Sequence, residues 1–202
     1  MVQTRGQQAG GRQTARRRDI LREASKCFRE KGFHATGMRD VAAGLGMTVG
    51  SLYYYFKNKD ALLRFCQLDA LHRLRLVVAW SSQQDLRADQ RLFLMIAGHV
   101  VCLNEGGWGS LAHLEIPERN SRENRELLDR RRAYEQALES VVREGQEAGV
   151  FREADARLGG MALLGACNWT VSWFNPAGSR SAASIGEAFA EQLVRGLLAP
   201  GI

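Results

Sequence analysis

The chain has 202 residues, 45% of them hydrophobic and 25% charged, with a net charge of +6 and four cysteines. That length is enough for one large domain, or for a small domain plus a larger one. The charge is unevenly placed: residues 1–60 hold twelve Lys and Arg against five Asp and Glu, and residues 61–202 hold sixteen against seventeen. A basic N-terminal part on a near-neutral body is the electrostatic footprint of a nucleic-acid binder.

The first nineteen residues are polar and basic without an apolar centre, so no secretory signal is expected. Leu158 to Phe174 is the longest apolar run, seventeen residues interrupted by Asn168, Thr170 and Ser172. It falls short of the roughly twenty that cross a bilayer, so no membrane partner and a cytoplasmic location are expected. Cys27, Cys66, Cys102 and Cys167 lie in apolar stretches, with no C-x-x-C pair and no clustering with His34, His72, His99 or His113. Buried thiols are the expectation, with no metal and no cofactor.

In chain order, residues 1–14 are rich in Gly, Gln and Arg and lack an apolar face. They are expected to form a mobile basic arm able to reach an adjacent groove or to serve as a solubilising tail. A helix is expected from about Ala15 to Lys31, with Ile20, Leu21, Ala24, Cys27 and Phe28 on one stripe and Gly32 at its end. Phe28 and Phe33 should cover the back of the next two helices.

Those helices occupy TGMRDVAAGLGMTVGSLYYYFKNKD, Thr36 to Asp60. The first is expected over Met38 to Leu45, with Met38, Val41, Ala42 and Leu45 on one face. Gly46 stops it in a left-handed residue. Thr48 caps the second, its hydroxyl taking an amide near Ser51, and that helix runs to about Asn58. Two short helices joined through a glycine make a helix-turn-helix, whose second helix enters the major groove. Its outer face carries Thr48, Gly50, Ser51, Tyr53, Tyr54 and Tyr55, small or hydroxyl-bearing, with Lys57 and Lys59 beyond. Hydroxyls suit base edges and phosphates; lysines suit phosphates.

FREKGFHATGMRDVAAGLGMTVGSLYYYFKNKDALL resembles the DNA-binding domain of the TetR family of bacterial repressors, over about residues 15 to 63. The segment LYYYFKNKDAL carries the most specific part of that likeness. Gly37 departs from the Ser or Thr usual at the start of the first motif helix, which leaves more of the phosphate contact there to Thr36 and Arg39. The resemblance implies an all-α chain: a three-helix helix-turn-helix domain over residues 15–60 and a helical effector-binding and dimerisation domain over 61–202. The implied partners are a double-stranded DNA operator, a small-molecule effector and a second copy of the chain bound through its last two helices.

Beyond the motif, a helix of about 33 Å, at about 1.5 Å per residue, is expected from Asn58 or Lys59 to Ser81. It would join the DNA-binding unit to the body as a lever. Further helices are expected at about Gln90 to Asn104, briefly before Pro117, and from Asn120 or Ser121 to Ala148 with Glu123 completing the cap. The last of these carries Leu127, Leu128, Tyr134, Leu138, Val141 and Val142 on its stripe. Leu158 to Phe174 has no charged residue on any face and so must be covered all round. Gly159, Gly160, Ala162 and Ala166 would let another helix approach it. A final stripe, Ile185, Phe189, Leu193 and Leu197, follows a capping box of Ser184 and Glu187. The pair is expected to lie on the body with one face and on a two-fold mate with the other.

Phe93, Trp108, Trp169 and Trp173, with Met95, are candidates to line an effector cavity, and His113, Asn168 and Ser172 to supply its polar handles. Taken singly, each is a stronger candidate for ordinary core than for ligand contact. NWTVSWFNPAG, Asn168 to Gly178, is similar to a segment of the family branch that answers to acyl-CoA thioesters, with Asn175 and Ala177 departing from the commoner residues. Arg130, Arg131 and Arg132 then become candidates for the nucleotide end of coenzyme A, or a solvated face pairing with Glu126 or Glu135. No G-x-S-x-G, metal cluster or phosphate-cradling glycine loop is present, so no enzyme is expected. The expected function is a ligand-responsive repressor that binds a palindromic operator as a homodimer. The alternative is a constitutive or architectural DNA binder without an effector.

Overall fold

The computed structural model describes residues 4–105 and 122–202, and every regular element among them is helical. The order is α1 (Thr4–Lys31), α2 (Met38–Gly44), α3 (Val49–Tyr55), α4 (Lys59–Ser82), α5 (Ala88–Asn104), α6 (Arg122–Glu147), α7 (Ala156–Trp173) and α8 (Ala182–Arg195). The helix-turn-helix plan and the all-α class follow the sequence closely, because the apolar positions recur at helical spacing and the breaks carry glycine or caps.

The boundaries differ in instructive places. α1 begins at Thr4 instead of near Ala15, so residues 4–14 extend the helix where a mobile arm was expected. No proline interrupts them, and an existing helix propagates at far lower cost than it nucleates. α3 ends at Tyr55, not at Asn58, because Asn58 accepts from the Ala61 amide at 2.7 Å and so begins α4. α8 is capped by Ser181, whose Oγ accepts from the Ser184 amide at 3.1 Å, and not by the expected box of Ser184 and Glu187. The expected short helix before Pro117 and the cap at Asn120 and Ser121 lie outside the described residues.

Two apolar cores result. One gathers Ile20, Leu21 and Phe28 of α1, Val41 of α2, Leu52 of α3, and Leu62, Leu63 and Cys66 of α4. The other gathers Leu71 and Leu74 of α4 with the inner faces of α5 to α8. α4 therefore belongs to both, and the division expected after residue 60 falls at the start of a helix that the two cores share.

Within the body α5 is central: α8 packs along it, α7 packs on α6 and α5, and α4 lies against α5 and α6. A close approach of helix backbones uses Gly186, where a methyl group would sit 2.7 Å from the Ala97 carbonyl oxygen. Close approach was expected instead along α7, and there the backbone of Glu139 does pass 3.7 Å from where a methyl on Gly160 would stand. A short antiparallel bridge of Phe151 with Leu198 ties the chain end to the α6–α7 turn. Within the single chain the body covers one side of α7, and Leu158, Met161, Trp169 and Trp173 stand exposed, Trp169 at 68%.

Candidate nucleic-acid interface and effector cavity

The turn between α2 and α3 is built as the residues require. The Leu45 amide donates back to Ala42, the Met47 amide donates to the same carbonyl at 2.9 Å, and Gly46 takes φ +61°. A side chain at that φ is strained, which is why glycine stands there. Thr48 Oγ1 accepts from the Ser51 amide at 3.1 Å and shares a hydrogen bond with Ser51 Oγ at 2.8 Å. Leu52 is fully buried and fixes the rotation of α3. That rotation leaves Thr48, Gly50, Ser51, Tyr53 and Tyr54 exposed, with Tyr55 half-buried and in edge-on contact with the Tyr54 ring. Arg39 on α2 and Lys57 after α3 are exposed on the same unit.

α2 starts without a hydroxyl cap. Asp40 replaces it: its Oδ2 accepts from the Gly37 amide at 2.7 Å while Oδ1 pairs with Lys31 at 2.5 Å. The Lys31 hydrogen bond, then the Gly37 amide, hold this carboxyl below the usual carboxylate range.

Two of the expected DNA contacts are turned inward. The Thr36 side chain is buried, and its hydroxyl donates to the carbonyls of Gly32 at 2.8 Å and Cys27 at 3.0 Å. Lys59 Nζ donates to the carbonyls of Phe33, His34 and Thr36, at 2.7, 3.2 and 3.0 Å, and stacks over the Phe33 ring. These carbonyls end α1 or form the loop after it, and a buried backbone acceptor needs a donor. Thr36 and Lys59 thus shape the unit's frame; Arg39, Lys57 and the α3 hydroxyls remain its outward groups.

In the body, His99 of α5, Tyr134 of α6 and Asn168 of α7 form one hydrogen-bonded chain, with His99 and Tyr134 buried and Asn168 half-buried. His99 Nδ1 lies 2.9 Å from Tyr134 Oη, and Nε2 lies 3.1 Å from Asn168 Oδ1. Burial pushes the His99 pKa down to about 4 and the Tyr134 hydroxyl well above its ordinary value. The imidazole is therefore neutral near pH 7. This chain borders a cavity of about 220 Å³ that is also lined by Leu71, Leu74 and Leu164. Leu164 and Asn168 also line a larger cavity of about 640 Å³ between α6 and α7, with Arg132 and Arg157 on its walls. A third, of about 400 Å³ between α4 and α6, is bordered by Leu71, Arg130 and Tyr134.

Sequence comparison matches this geometry. Residues 20–65 match the profile of bacterial regulatory proteins of the tetR family, and residues 85–197 that of the tetracyclin repressor-like C-terminal domain. The chain belongs to the TetR family. It is 27% identical over 199 residues to the HTH-type transcriptional repressor KstR2 of Mycobacterium tuberculosis, covering 95% of this chain and 98% of that one. The structure of the TetR family transcriptional regulator PfmR from Thermus thermophilus is 32% identical, with a TM-score of 0.77, covering 89% of this chain and 99% of that one. AibR in complex with isovaleryl coenzyme A and operator DNA has the same fold, with a TM-score of 0.73 at 24% identity over 91% of this chain and 98% of that one.

Among the described residues expected to hold an effector, Asn168 and Arg131 border the His99 cavity of this TetR-family body. Phe93 lies elsewhere, in a surface groove of about 580 Å³ between α5 and α8. Trp169, Ser172 and Trp173 are exposed on α7, and the Trp173 ring packs at 6.0 Å on Phe189 of α8. Trp108 and His113 lie outside the described residues. The three arginines diverge, Arg130, Arg131 and Arg132 each bordering a different cavity, and Arg130 pairs with Glu126 at 2.6 Å. They separate because consecutive helical residues are about 100° apart around the axis. His99 and Tyr134 escaped the sequence reading: each sits in an apolar stripe, and only the packing of α5 on α6 brings them together. Cys27, Cys66 and Cys167 are buried and Cys102 half-buried, with burial pushing the Cys66 and Cys167 thiols up to about 12. No described helix is long and apolar enough to cross a membrane.

Proposed function

We propose that this chain is a ligand-responsive repressor that binds a palindromic operator as a homodimer and releases it when an acyl thioester occupies its body. Operator binding places it in the cytoplasm. The observation that carries the reading is the sharing of α4. Leu62, Leu63 and Cys66 belong to the DNA-binding core, Leu71 and Leu74 to the body, and these last two line the His99 cavity. A ligand that displaces α4 at Leu71 displaces the helix that Lys59 ties to the loop before α2. Two recognition helices must meet successive major grooves about 34 Å apart, so a small rotation of α4 in each protomer lowers affinity. The exposed apolar side chains of α7 support pairing with a second copy, since that surface is otherwise left in water.

Arg39 and Lys57 would contact phosphates; Thr48, Gly50, Ser51 and Tyr53 to Tyr55 would face the groove. The repressor name of KstR2 and the acyl-CoA in the AibR complex support the class of activity and the class of effector to test. The experiment is fluorescence anisotropy with a duplex selected from a random pool, titrated with octanoyl-CoA. Release at micromolar octanoyl-CoA, with none by coenzyme A alone, is the expected result. A selected duplex that stays bound at saturating thioester would sink the effector reading.

A further inference from the structure

Tyr134 Oη and His99 Nδ1 are 2.9 Å apart, and among the described residues the Tyr134 hydroxyl proton has no other acceptor. A buried hydroxyl keeps its proton in a hydrogen bond, so Tyr134 donates and Nδ1 accepts. A neutral imidazole then carries its proton on Nε2, which donates to Asn168 Oδ1 at 3.1 Å. The opposite tautomer strands the Tyr134 proton in an apolar site. Each link is fixed by the one before it. The chain terminates at the Asn168 amide nitrogen, whose two N–H donors have no acceptor among the described residues, while Asn168 itself borders both the 220 Å³ and the 640 Å³ cavities.

We infer that Asn168 is the group that reads the ligand: its side-chain N–H donates to the carbonyl oxygen of an otherwise apolar ligand held in the 220 Å³ cavity that α4, α5, α6 and α7 line. The inference rests on the effector reading above and adds the chemistry of recognition to it. Leu71, Leu74, Leu103 and Leu164 supply the apolar wall, and Arg131 and Glu135 bring opposite charges to the same cavity, so its lining among the described residues carries no net charge to reward an anion. A neutral carbonyl acceptor is what an oriented amide donor in that setting selects, because an unpaired amide donor loses its bond to water on closing over a purely apolar ligand. The buried Tyr134 and His99 act as positioning residues, holding the amide so that its nitrogen, and not its oxygen, is offered.

The test uses the full chain and two probes that differ only at one group: S-octanoyl-N-acetylcysteamine and the thioether in which its thioester carbonyl is replaced by CH2. Isothermal titration is expected to give about tenfold tighter binding of the thioester, the usual return on one well-placed hydrogen bond. Asn168→Asp keeps an oxygen to accept from His99 and removes the free N–H, so the two probes should then bind within about twofold of each other. Asn168→Leu, which deletes both functions, should do the same, and unchanged helicity with a single melting transition identifies variants that fold. Equal binding of both probes to the unmodified chain, binding of neither, or a preference that survives in folded Asn168→Asp would each overturn the assignment. Thioester binding through Asn168 without operator release would leave it standing and sink the effector reading; release with no carbonyl preference would do the reverse.

Discussion

Lys59 Nζ donates to the Phe33 carbonyl at 2.7 Å and lies 4.4 Å over the centre of the Phe33 ring, joining the first residue of α4 to the loop that follows α1. The same ammonium also satisfies His34 and Thr36. Lys59→Met keeps the aliphatic stem and leaves three carbonyls without this donor. Its melting temperature should fall and amide exchange over residues 32–37 should accelerate. Lys57→Ala should instead keep the melting temperature and flatten the log–log salt dependence of DNA binding by about one unit. If Lys59→Met melts like the unmodified chain and lowers the salt slope by one, Lys59 is a phosphate ligand and not a clamp.

Thr36→Val preserves shape and removes a hydroxyl that serves two backbone carbonyls. A loss of about 1–2 kcal/mol in denaturant unfolding is expected, with no change in the salt slope. A reduced slope at unchanged stability would return Thr36 to the DNA surface.

Tyr54 is 79% exposed on α3. Tyr54→Phe should leave stability alone and narrow the ratio between operator and scrambled-duplex affinity, since base-edge contacts carry sequence information. Equal losses on both duplexes would make it a positioning contact.

His99 gives the stability a sign with pH. Its folded pKa, about 4, lies below the ordinary histidine value of 6.5, so between these the unfolded chain binds more protons. Stability is complete above pH 6.5 and declines as pH falls toward 4, at up to about 1.4 kcal/mol per unit. His99→Gln should weaken that dependence in urea titrations at stepped pH. An identical pH profile in the variant would show that His99 is not buried neutral.

Leu158, Met161, Trp169 and Trp173 leave a large apolar face on α7 open to solvent in the single chain. Sedimentation at micromolar concentration should give about twice the 22.5 kDa chain mass. Trp169→Arg would carry an uncompensated charge into that interface and should yield monomers that bind operator weakly. A mass of one chain for the unmodified protein would remove the two-fold arrangement.

The local elements were legible in the sequence because their causes are local. Met38, Val41 and Ala42 recur at helical spacing, Gly46 supplies a positive φ, and Thr48 caps its own helix, so α2 and α3 are written within about twenty residues of chain. The charge excess and the apolar stripe of α6 are likewise properties of short windows. What the sequence could not carry is direction across distance. Whether Thr36 and Lys59 face a phosphate or a neighbouring carbonyl depends on where α4 docks on the end of α1. Whether Trp169 lines a cavity or stands in solvent depends on the rotation of α7, which Leu163, Cys167 and Thr170 set by burying the opposite side. His99, Tyr134 and Asn168 are far apart in the chain; Asn168 alone reads as a polar handle, and His99 and Tyr134 each read as an ordinary helical residue. Only the packing of three helices brings their polar atoms within hydrogen-bonding distance, and burial then makes that pairing obligatory.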